Sequence, residues 1–344
     1  MVSGAMDEHT TAQLWPEVSV VMPVLNEERH LREAVAGILA QDYPGELELV
    51  LALGPSKDRT DEVAQELAAE NPRITAVDNP PGFTPHGLNA AIKAAKHDII
   101  VRVDGHSVLP TDYVRVAVDV LTETGADNVG GLMAAEGTTD FQRAVASAMT
   151  SRIGVGATQF HTGGEDGPAE TVYLGVFRRA ALDRVGGYDE YFHRAQDWEM
   201  NHRIRETGGL VWFTSRLQVG YRPRSTFRAL AKQYFDTGAW RWRVMVRHPE
   251  TVSLRYLAPP AAVAGTALAF GLAVAGKRWA LVLPGGYLAA VTAGAAVTGS
   301  GLTPRARAML PAVYATMHHA WGAGFLKGVA KSVAGRVRGA RPEA

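Results

Sequence analysis

An aspartate and a histidine directly follow a strongly apolar stretch in the first third of the chain. Residues 99–103 read Ile-Ile-Val-Arg-Val, and Asp104, Gly105 and His106 come next. An apolar run that stops at a glycine-containing turn is typical of a buried parallel strand. Because ligands of open α/β sheets bind beyond the carboxyl ends of the strands, Asp104 and His106 are candidates to hold a metal ion there. The alternative is a turn in which Asp104 caps the helix that follows.

Two other polar loops also follow predicted strands. Residues 23–27 come after a short β-rich run at residues 18–22, and residues 54–58 come after a second run at residues 46–52. In a parallel sheet these loops and Asp104 lie at one edge, where a nucleotide would bind. None of the loops contains the Gly-x-Gly-x-x-Gly or Gly-x-x-x-x-Gly-Lys-Ser/Thr pattern, which argues against dinucleotide and P-loop sites.

The elements that position these loops alternate between strand and helix. Strands are predicted at residues 18–22, 46–52, 74–77, 99–103, 128–132, 172–177 and 210–214. Helices are predicted at residues 26–39, 60–70, 87–96, 110–124, 142–152 and 227–247. A further helix is predicted to start within residues 192–199 and to run to about residue 206, and a mobile loop is predicted at residues 161–170. This alternation predicts an α/β fold with a doubly wound, mostly parallel sheet flanked by helices.

The composition excludes some chemistry and divides the chain into two halves. The 344 residues include no cysteine, which excludes disulfide bonds, thiolate zinc sites and a cysteine nucleophile. Basic and acidic residues are equal at 35 each, but residues 251–344 contain ten of the basic residues and a single acidic one, Glu343. The basic tail is therefore expected to meet an anionic surface, either a membrane or a nucleic acid.

Two uncharged stretches favour the membrane. Residues 257–276 and 279–303 are each long enough to cross a bilayer core of about 30 Å, with a soluble helical hairpin as the alternative. Lys and Arg are frequent before the first stretch and after the second, so the positive-inside rule places the front domain in the cytoplasm. Residues 308–325 are predicted to form an interfacial helix. Residues 1–15 are polar and predict no signal peptide.

Five motifs, in order, resemble those of family 2 glycosyltransferases. They are residues 20–28, 54–60, 87–92, 103–106 and 196–199, within a similarity that covers roughly residues 18–209. With the C-terminal stretches and residues 315–318, the chain is most similar to the membrane-attached transferases of succinoglycan-type exopolysaccharide assembly. The resemblance implies a GT-A fold with a doubly wound mixed sheet flanked by helices, plus a C-terminal membrane-associated helical region. It also implies a nucleotide-sugar donor, a divalent cation (Mn²⁺ or Mg²⁺) and inversion at the anomeric carbon.

The resemblance also assigns the donor side of the site. Pro23, Val24 and Glu27 would line the base and ribose, and Asp58 would lie at the nucleotide-binding end of the second strand, with helix capping as its alternative. Asp104 and His106 match the Asp-x-Asp motif, whose metal neutralises charge on the leaving diphosphate. Gly87 and Asn89 are the other predicted donor-binding residues. They would start a helix whose free amides face the donor.

Asp197 matches the catalytic base of the family. Its carboxylate would take the proton from the acceptor hydroxyl as that hydroxyl attacks the anomeric carbon. Since Asp197 also begins a predicted helix, the alternative is an N-terminal cap. Trp198 offers an aromatic face to an acceptor sugar, with a core tryptophan as the alternative.

Some positions depart from the family pattern. Leu53 stands where many members carry an acidic residue that reads a pyrimidine base, and Gln196 replaces the acidic neighbour of the base. His106 in the third position of Asp-x-Asp suits Mn²⁺ better than Mg²⁺. Gln233 and Arg241 are too far apart for the Gln-x-x-Arg-Trp motif of processive synthases, which favours the addition of a single sugar.

Together these observations predict an inverting glycosyltransferase of the cell membrane with a cytoplasmic catalytic domain. It would move one sugar from a nucleotide-sugar donor to a lipid-linked saccharide acceptor in cell-surface or exopolysaccharide assembly, with no nucleic-acid partner. The alternatives are a polyprenyl-phosphate hexose synthase and a non-catalytic nucleotide-binding membrane component. The predicted regions are a transferase domain (16–225), a juxtamembrane helix (226–256), two membrane helices (257–303), and an interfacial helix with a basic tail (304–344).

Overall fold

The structure, a computed structural model, describes residues 15–337. The predictions for residues 1–14 and for the basic tail beyond residue 337 lie outside this range. The strands are β1 (Val18–Val24), β2 (Leu47–Leu53), β3 (Ile74–Asp78), β4 (Ile99–Arg102), β5 (Asn128–Ala135), β6 (Gly167–Pro168), β7 (Tyr173–Arg178) and β8 (Val211–Tyr221). The helices of the first two thirds are α1 (Leu31–Leu39), α2 (Thr60–Glu70), α3 (Thr84–Ala94), α4 (Tyr113–Thr124), α5 (Asp140–Met149), α6 (Arg152–Val155), α7 (Gln159–Thr162), α8 (Arg179–Val185) and α9 (Gln196–Glu206).

The strands form one eight-stranded sheet in the order β3-β2-β1-β4-β7-β5-β8-β6. The first four strands are parallel, β7 runs antiparallel to both of its neighbours, and β5 and β8 are parallel. The mixed α/β sheet predicted from the sequence is therefore confirmed. Every residue of β2 is buried, and the side chains of β1 and β4 divide between apolar cores on the two faces of the sheet. This double burial explains why these strands are continuously apolar in sequence.

The register of the central strands brings the predicted loops together. Val24 pairs with Leu53 at the ends of β1 and β2, and Val21 pairs with Arg102 at the end of β4. The loops that follow these strands therefore leave the sheet side by side. This edge is where the sequence placed the nucleotide.

Several predicted elements differ from the observed ones. The first helix begins at Leu31 rather than at residue 26. The residues before Leu31 form a loop that is hydrogen-bonded to the loop after β2. β8 continues to Tyr221, with Leu217 and Val219 buried in alternation. The predicted mobile loop at residues 161–170 contains β6, which pairs with β8.

The C-terminal third is helical. Its helices are α10 (Phe227–Arg247), α11 (Leu254–Val274), α12 (Val282–Thr298) and α13 (Pro304–Val337), with 3₁₀ turns at Pro249–Thr251 and Arg278–Leu281. The segments Leu254–Val274 and Arg278–Thr298 are long and apolar enough to cross a membrane, each with a mean hydropathy of 1.7. Only 11% and 22% of their apolar windows are buried, so they do not resemble the buried core helices of soluble proteins.

The predicted interfacial segment at residues 308–325 is the middle of a single 34-residue helix, α13. Several of its apolar side chains, including Leu310, Tyr314 and Met317, are fully buried against the rest of the protein. Helices α10 and α13 approach closely because Gly238 and Gly324 face the partner backbones, where a Cβ atom would lie 1.9 Å from a carbonyl oxygen. The membrane position of α13 and the four predicted regions stay predictions.

Candidate active site

The loops after β1 and β2 are bonded to each other. Asn26 adopts a left-handed conformation with a φ of 57°, which asparagine tolerates better than most residues. Its side-chain oxygen accepts a hydrogen bond from the Lys57 amide at 2.8 Å, and its own amide donates to Ser56 Oγ at 3.2 Å. The Glu27 amide donates to Thr60 Oγ1 at 2.7 Å. These bonds fix the polar end of β1 beside the sheet.

Asp58 belongs to this loop pair rather than to the cleft. Its exposed carboxylate accepts hydrogen bonds from the Thr60 hydroxyl at 2.5 Å, the Thr60 amide at 3.1 Å and the Glu28 amide at 3.3 Å. The bond from the Thr60 hydroxyl contributes most to a pKa below the ordinary value for Asp58. The side chain thus bonds to the first amide of α2 and ties the two loops, and its donor-binding role stays a prediction.

A cleft of about 240 Å³ opens at the carboxyl ends of β1 and β4. Four of the predicted site residues line it, namely Pro23, Glu27, Asp104 and His106. The other lining residues were not predicted to bind or to act in catalysis; they are Leu25, Thr84, Arg102, Gly105 and Gln196. Val24 is only 2% exposed and packs in the core, whereas the adjacent Leu25 faces the cleft.

Arg102 joins Asp104, the predicted metal ligand, to Asp197, the predicted base. It is the last residue of β4 and is 4% exposed. Its Nη2 lies 3.0 Å from Asp104 Oδ1, and its Nη1 donates to Asp197 Oδ1. A guanidinium can be buried at this depth only with such partners. An arginine inside an apolar strand is the sequence signal that could have revealed this role.

The charges in this triad shift one another. Burial raises the pKa of Asp197 above its ordinary value, and the Arg102 guanidinium opposes that shift. Burial disfavours the charged form of Arg102, but the attraction of Asp197 and Asp104 outweighs it, so its pKa lies well above the ordinary value. Arg102 is therefore positive, and Asp197 is a carboxylate of raised basicity.

The start of α9 places Asp197 without using it as a cap. The N-cap residue is Ala195, which has a left-handed φ of 62°. Asp197 lies in the first helical turn, where the helix dipole favours its negative charge, and its side chain turns to Arg102 instead of the helix amides. The capping alternative for Asp197 is therefore wrong.

Gly87 and Asn89 do not lie at a helix start. Helix α3 begins at Thr84, and the Gly87 amide already donates to the Phe83 carbonyl at 3.1 Å. The prediction that these two residues start the helix is therefore wrong. A Cβ atom on Gly87 would lie 2.7 Å from Asn79 Nδ2 and 3.1 Å from Pro23 Cβ. The glycine lets α3 approach the end of β1, and its donor-binding role stays a prediction.

Asn89 holds the turn that leads to α9. Its side-chain amide donates to the Tyr188 carbonyl and accepts from the Tyr188 amide, both at 2.8 Å. The preceding Gly187 has a φ of 75°, and a Cβ atom there would lie 2.8 Å from Asn89 Oδ1. Asn89 therefore acts on the position of the segment before Asp197, and direct contact with a donor stays a prediction.

Asp104, His106 and Glu27 line the cleft and carry oxygen and nitrogen atoms that can bind a metal ion. His106 Nδ1 lies 2.9 Å from Glu27 Oε1, and this hydrogen bond contributes most to raising the pKa of His106. Gly105 permits the close approach, since its Cβ atom would lie 3.2 Å from Glu27 Cγ. Carboxylates with an imidazole suit Mn²⁺, so the residues present fit the predicted cation.

Trp198 is already engaged by protein groups. Its ring stacks on His202 with 5.2 Å between centroids, and the Arg241 guanidinium carbon lies 4.5 Å from the Trp198 ring centroid. Acceptor binding by Trp198 stays a prediction.

Three aromatic side chains, Phe83, His193 and Trp240, form a group beside the cleft. Phe83, next to the cleft residue Thr84, stacks on His193 at 3.6 Å and is 43% exposed. His193 in turn lies 5.8 Å from the ring of Trp240 in α10. This aromatic group therefore connects the cleft to the C-terminal helices.

Comparisons with known proteins identify the family of the chain. Residues 19–186 match the family model described as glycosyl transferase family 2. The chain is 34% identical to the succinoglycan biosynthesis protein ExoA of Rhizobium meliloti (strain 1021), over 89% of this chain and 93% of that protein. A dolichyl N-acetyl-alpha-D-glucosaminyl phosphate glucuronosyltransferase of Methanococcus voltae is 23% identical over 64% of this chain and 72% of that protein.

The fold is similar to that of a solved GT-A glycosyltransferase. Mannosyltransferase PcManGT from Pyrobaculum calidifontis, solved with GDP-Man and Mn²⁺, superposes with a TM-score of 0.59 at 20% identity. The superposition covers 92% of this chain and 88% of the mannosyltransferase. The extent of the ExoA similarity, together with the family match, shows that this chain is a glycosyltransferase and belongs to family 2.

Proposed function

We propose that the protein is an inverting glycosyltransferase that moves a single sugar from a nucleotide sugar to a lipid-linked saccharide at the cytoplasmic face of the membrane. The observation that carries this proposal is the Arg102 bridge, which joins the Asp197 carboxylate to Asp104 beside one cleft. A base and a diphosphate anchor on neighbouring walls are what a single displacement needs.

The donor would occupy the edge of the sheet. Pro23, Leu25 and Glu27 offer a wall for the nucleoside, and Asp104 with His106 would hold the divalent cation. When bound, such a cation neutralises the charge that develops on the leaving nucleoside diphosphate. The similar mannosyltransferase was solved with Mn²⁺, and the imidazole of His106 favours the same ion here.

Asp197 would act as the general base. Its raised pKa makes it a stronger proton acceptor than an ordinary aspartate, and Arg102 holds one carboxylate oxygen in place. The acceptor hydroxyl loses its proton to Asp197 as its oxygen attacks the anomeric carbon from the face opposite the diphosphate. Attack from that face inverts the configuration of the anomeric carbon.

The acceptor would approach from the side of the C-terminal helices. Phe83, His193 and Trp240 offer aromatic faces between the cleft and α10, where a sugar can stack. The exposed apolar helices α11 and α12 supply a surface for a lipid chain. The Methanococcus voltae relative is named for a dolichyl phosphate-linked sugar acceptor, which supports a lipid-linked acceptor here.

Two residues that could belong to the Gln-x-x-Arg-Trp motif of processive synthases, Gln233 and Trp242, instead bond to other parts of the protein. Gln233 bonds to Arg224 and to the Tyr221 hydroxyl, and Trp242 donates to Ser332 Oγ in α13 at 2.8 Å. These side chains are therefore committed to protein contacts, which supports the addition of a single sugar.

The test uses the full chain in lipid nanodiscs with radiolabelled nucleotide sugars, Mn²⁺ and a synthetic polyprenyl diphosphate-linked sugar. We expect one sugar to be added, only with a divalent cation present, and the nuclear magnetic resonance couplings of the product to show inversion. Retention, repeated addition, or transfer to polyprenyl phosphate alone would contradict the proposal. Metal-dependent donor hydrolysis without transfer to this acceptor would contradict the acceptor assignment.

A further inference from the structure

Two histidines and two glutamates meet outside the cleft, where α9 contacts the segment between α10 and α11. His202 and Glu199 lie on α9, His248 follows α10, and Glu250 lies in the next 3₁₀ turn. The side chains of His202 and Glu199 are 5% and 1% exposed, that of His248 is 16% exposed, and that of Glu250 is 52% exposed. Neither the donor site nor the proposed base uses these residues.

Three of these side chains converge on one point. His202 Nε2 lies 2.8 Å from Glu250 Oε1, and His248 Nδ1 lies 3.5 Å from the same oxygen. The two imidazole rings are 4.8 Å apart and nearly perpendicular, at 75°. Ligands at tetrahedral Zn²⁺ distances are about 3.3 Å from one another, so these separations bracket the value that a shared ion requires. The three side chains can supply ligand atoms that all lie within 4.8 Å of one another.

The second nitrogen of His248 has the environment of a metal-bound histidine. His248 Nε2 lies 3.4 Å from Glu199 Oε1, is buried, and has no hydrogen-bond partner within the described part of the chain. Arg203 fixes that carboxylate with bonds of 2.6 and 2.7 Å. A metal-bound histidine commonly directs its other N–H to a carboxylate, which sets its tautomer and orientation. Cation binding at His248 Nδ1 would put that proton on Nε2, facing Glu199.

We propose that His202, His248 and Glu250 bind a zinc ion, with the fourth position open to water. Two imidazoles and one carboxylate suit Zn²⁺ and are a poor set for Mg²⁺, which prefers oxygen. The ion joins α9, whose first turn carries Asp197, to the residues that enter α11. It therefore fixes the catalytic helix to the apolar helices, and it is distinct from the cation expected at Asp104 and His106.

The test measures zinc retention by the full chain in detergent. The protein is stripped with a chelator, exposed to Zn²⁺ and desalted, and bound metal is counted by mass spectrometry. We expect one equivalent in the wild type and in Asp104→Ala, which lacks the expected donor cation site. The equivalent should be lost in His202→Gln and His248→Gln. His97→Gln is the matched control, because His97 does not belong to this cluster. Its Nδ1 lies 3.0 Å from Glu17 Oε2.

Two further readouts separate binding from misfolding. Co²⁺ in place of zinc should give the visible absorption of a tetrahedral site, and Zn²⁺ should raise the melting temperature in a chelator-reversible way. Glu250→Gln alters an exposed side chain, so the fold is retained while zinc affinity falls by at least about tenfold. No retained zinc in the wild type, or retention unchanged by both histidine substitutions, would overturn the proposal. The pair His202–Glu250 would then be a hydrogen bond alone.

Discussion

At the scale of single residues, Arg102 contacts two carboxylates, that of Asp104 in the cleft and that of Asp197 at the start of α9. It is 4% exposed, so its charge acts on Asp104 and Asp197 with little screening by water. Asp197 lies under two opposite influences, since burial raises its pKa and Arg102 lowers it. The protonation state of the proposed base therefore depends on one buried arginine.

This dependence predicts how activity changes with pH. Asp197 accepts a proton only when it is ionised, so kcat/KM falls as the pH drops through its pKa. Arg102→Gln removes the charge that lowers this pKa, so we expect the acid limb of the pH profile to move to higher pH. The measurement is the pH dependence of kcat/KM for both proteins. Arg32→Gln, which breaks an exposed ion pair with Glu66, should leave the limb unmoved. An unmoved limb in Arg102→Gln would rule out Asp197 as the titrating base.

At the scale of elements, the site depends on how closely α3 approaches β1. Gly87 leaves room for Asn79 and Pro23, and Asn89, half a turn further on, holds the turn at Tyr188. One helix thus positions the end of β1 on one side and the segment before α9 on the other. The donor wall and the base are set by the same helix.

Gly87→Ala should disturb this arrangement. The new methyl group would overlap Asn79 Nδ2 and press on Pro23, so we expect a destabilisation of about 1–3 kcal/mol and weaker nucleotide binding. Gly37→Ala in α1 is the matched control, because nothing lies within 4 Å of its Cβ position. That change should stabilise the chain by about 0.5–1 kcal/mol. Thermal melting and nucleotide titration give both quantities. Equal effects of the two substitutions would show that Gly87 is not needed for space.

At the scale of the whole molecule, the sheet domain and the apolar helices are joined by α10 and α13. The apolar faces of α11 and α12 are exposed, and a lipid bilayer would bury them. The basic residues flanking these helices favour a cytoplasmic sheet domain. Lys277, between the two apolar helices, would then face the opposite side of the membrane.

The absence of native cysteine makes this orientation testable with single-cysteine variants. We expect Lys277→Cys to react with a membrane-impermeant maleimide in intact cells. Glu62→Cys, at an exposed position of α2, should react only after lysis. Labelling of Glu62→Cys in intact cells would contradict the cytoplasmic placement, and protection of both positions before and after lysis would contradict their exposure.

The sequence was most informative where a pattern is local. Apolar runs and the polar loops after them predicted an α/β sheet and the edge where Asp104 and His106 lie, whereas its mixed strand directions were implied by the family resemblance. The pairing of Arg102 with Asp197 joins residues far apart in the chain, so no local pattern contains it. The start of α3 was misplaced because Thr84 and Pro85 follow a loop of Pro and Gly residues that reads as a turn. The packing of α13 depends on contacts with α10 that hydropathy does not record.

The central claim is that Asp197 is the catalytic base, and one substitution tests it most directly. Asp197→Asn keeps the size of the side chain and removes its ability to accept a proton. We predict that the transfer rate falls by about 10²- to 10⁴-fold while the affinity for donor nucleotide with Mn²⁺, measured by calorimetry, is retained. Asp183→Asn, at an exposed position of α8, is the control and should transfer at the wild-type rate. Wild-type transfer by Asp197→Asn would contradict the account.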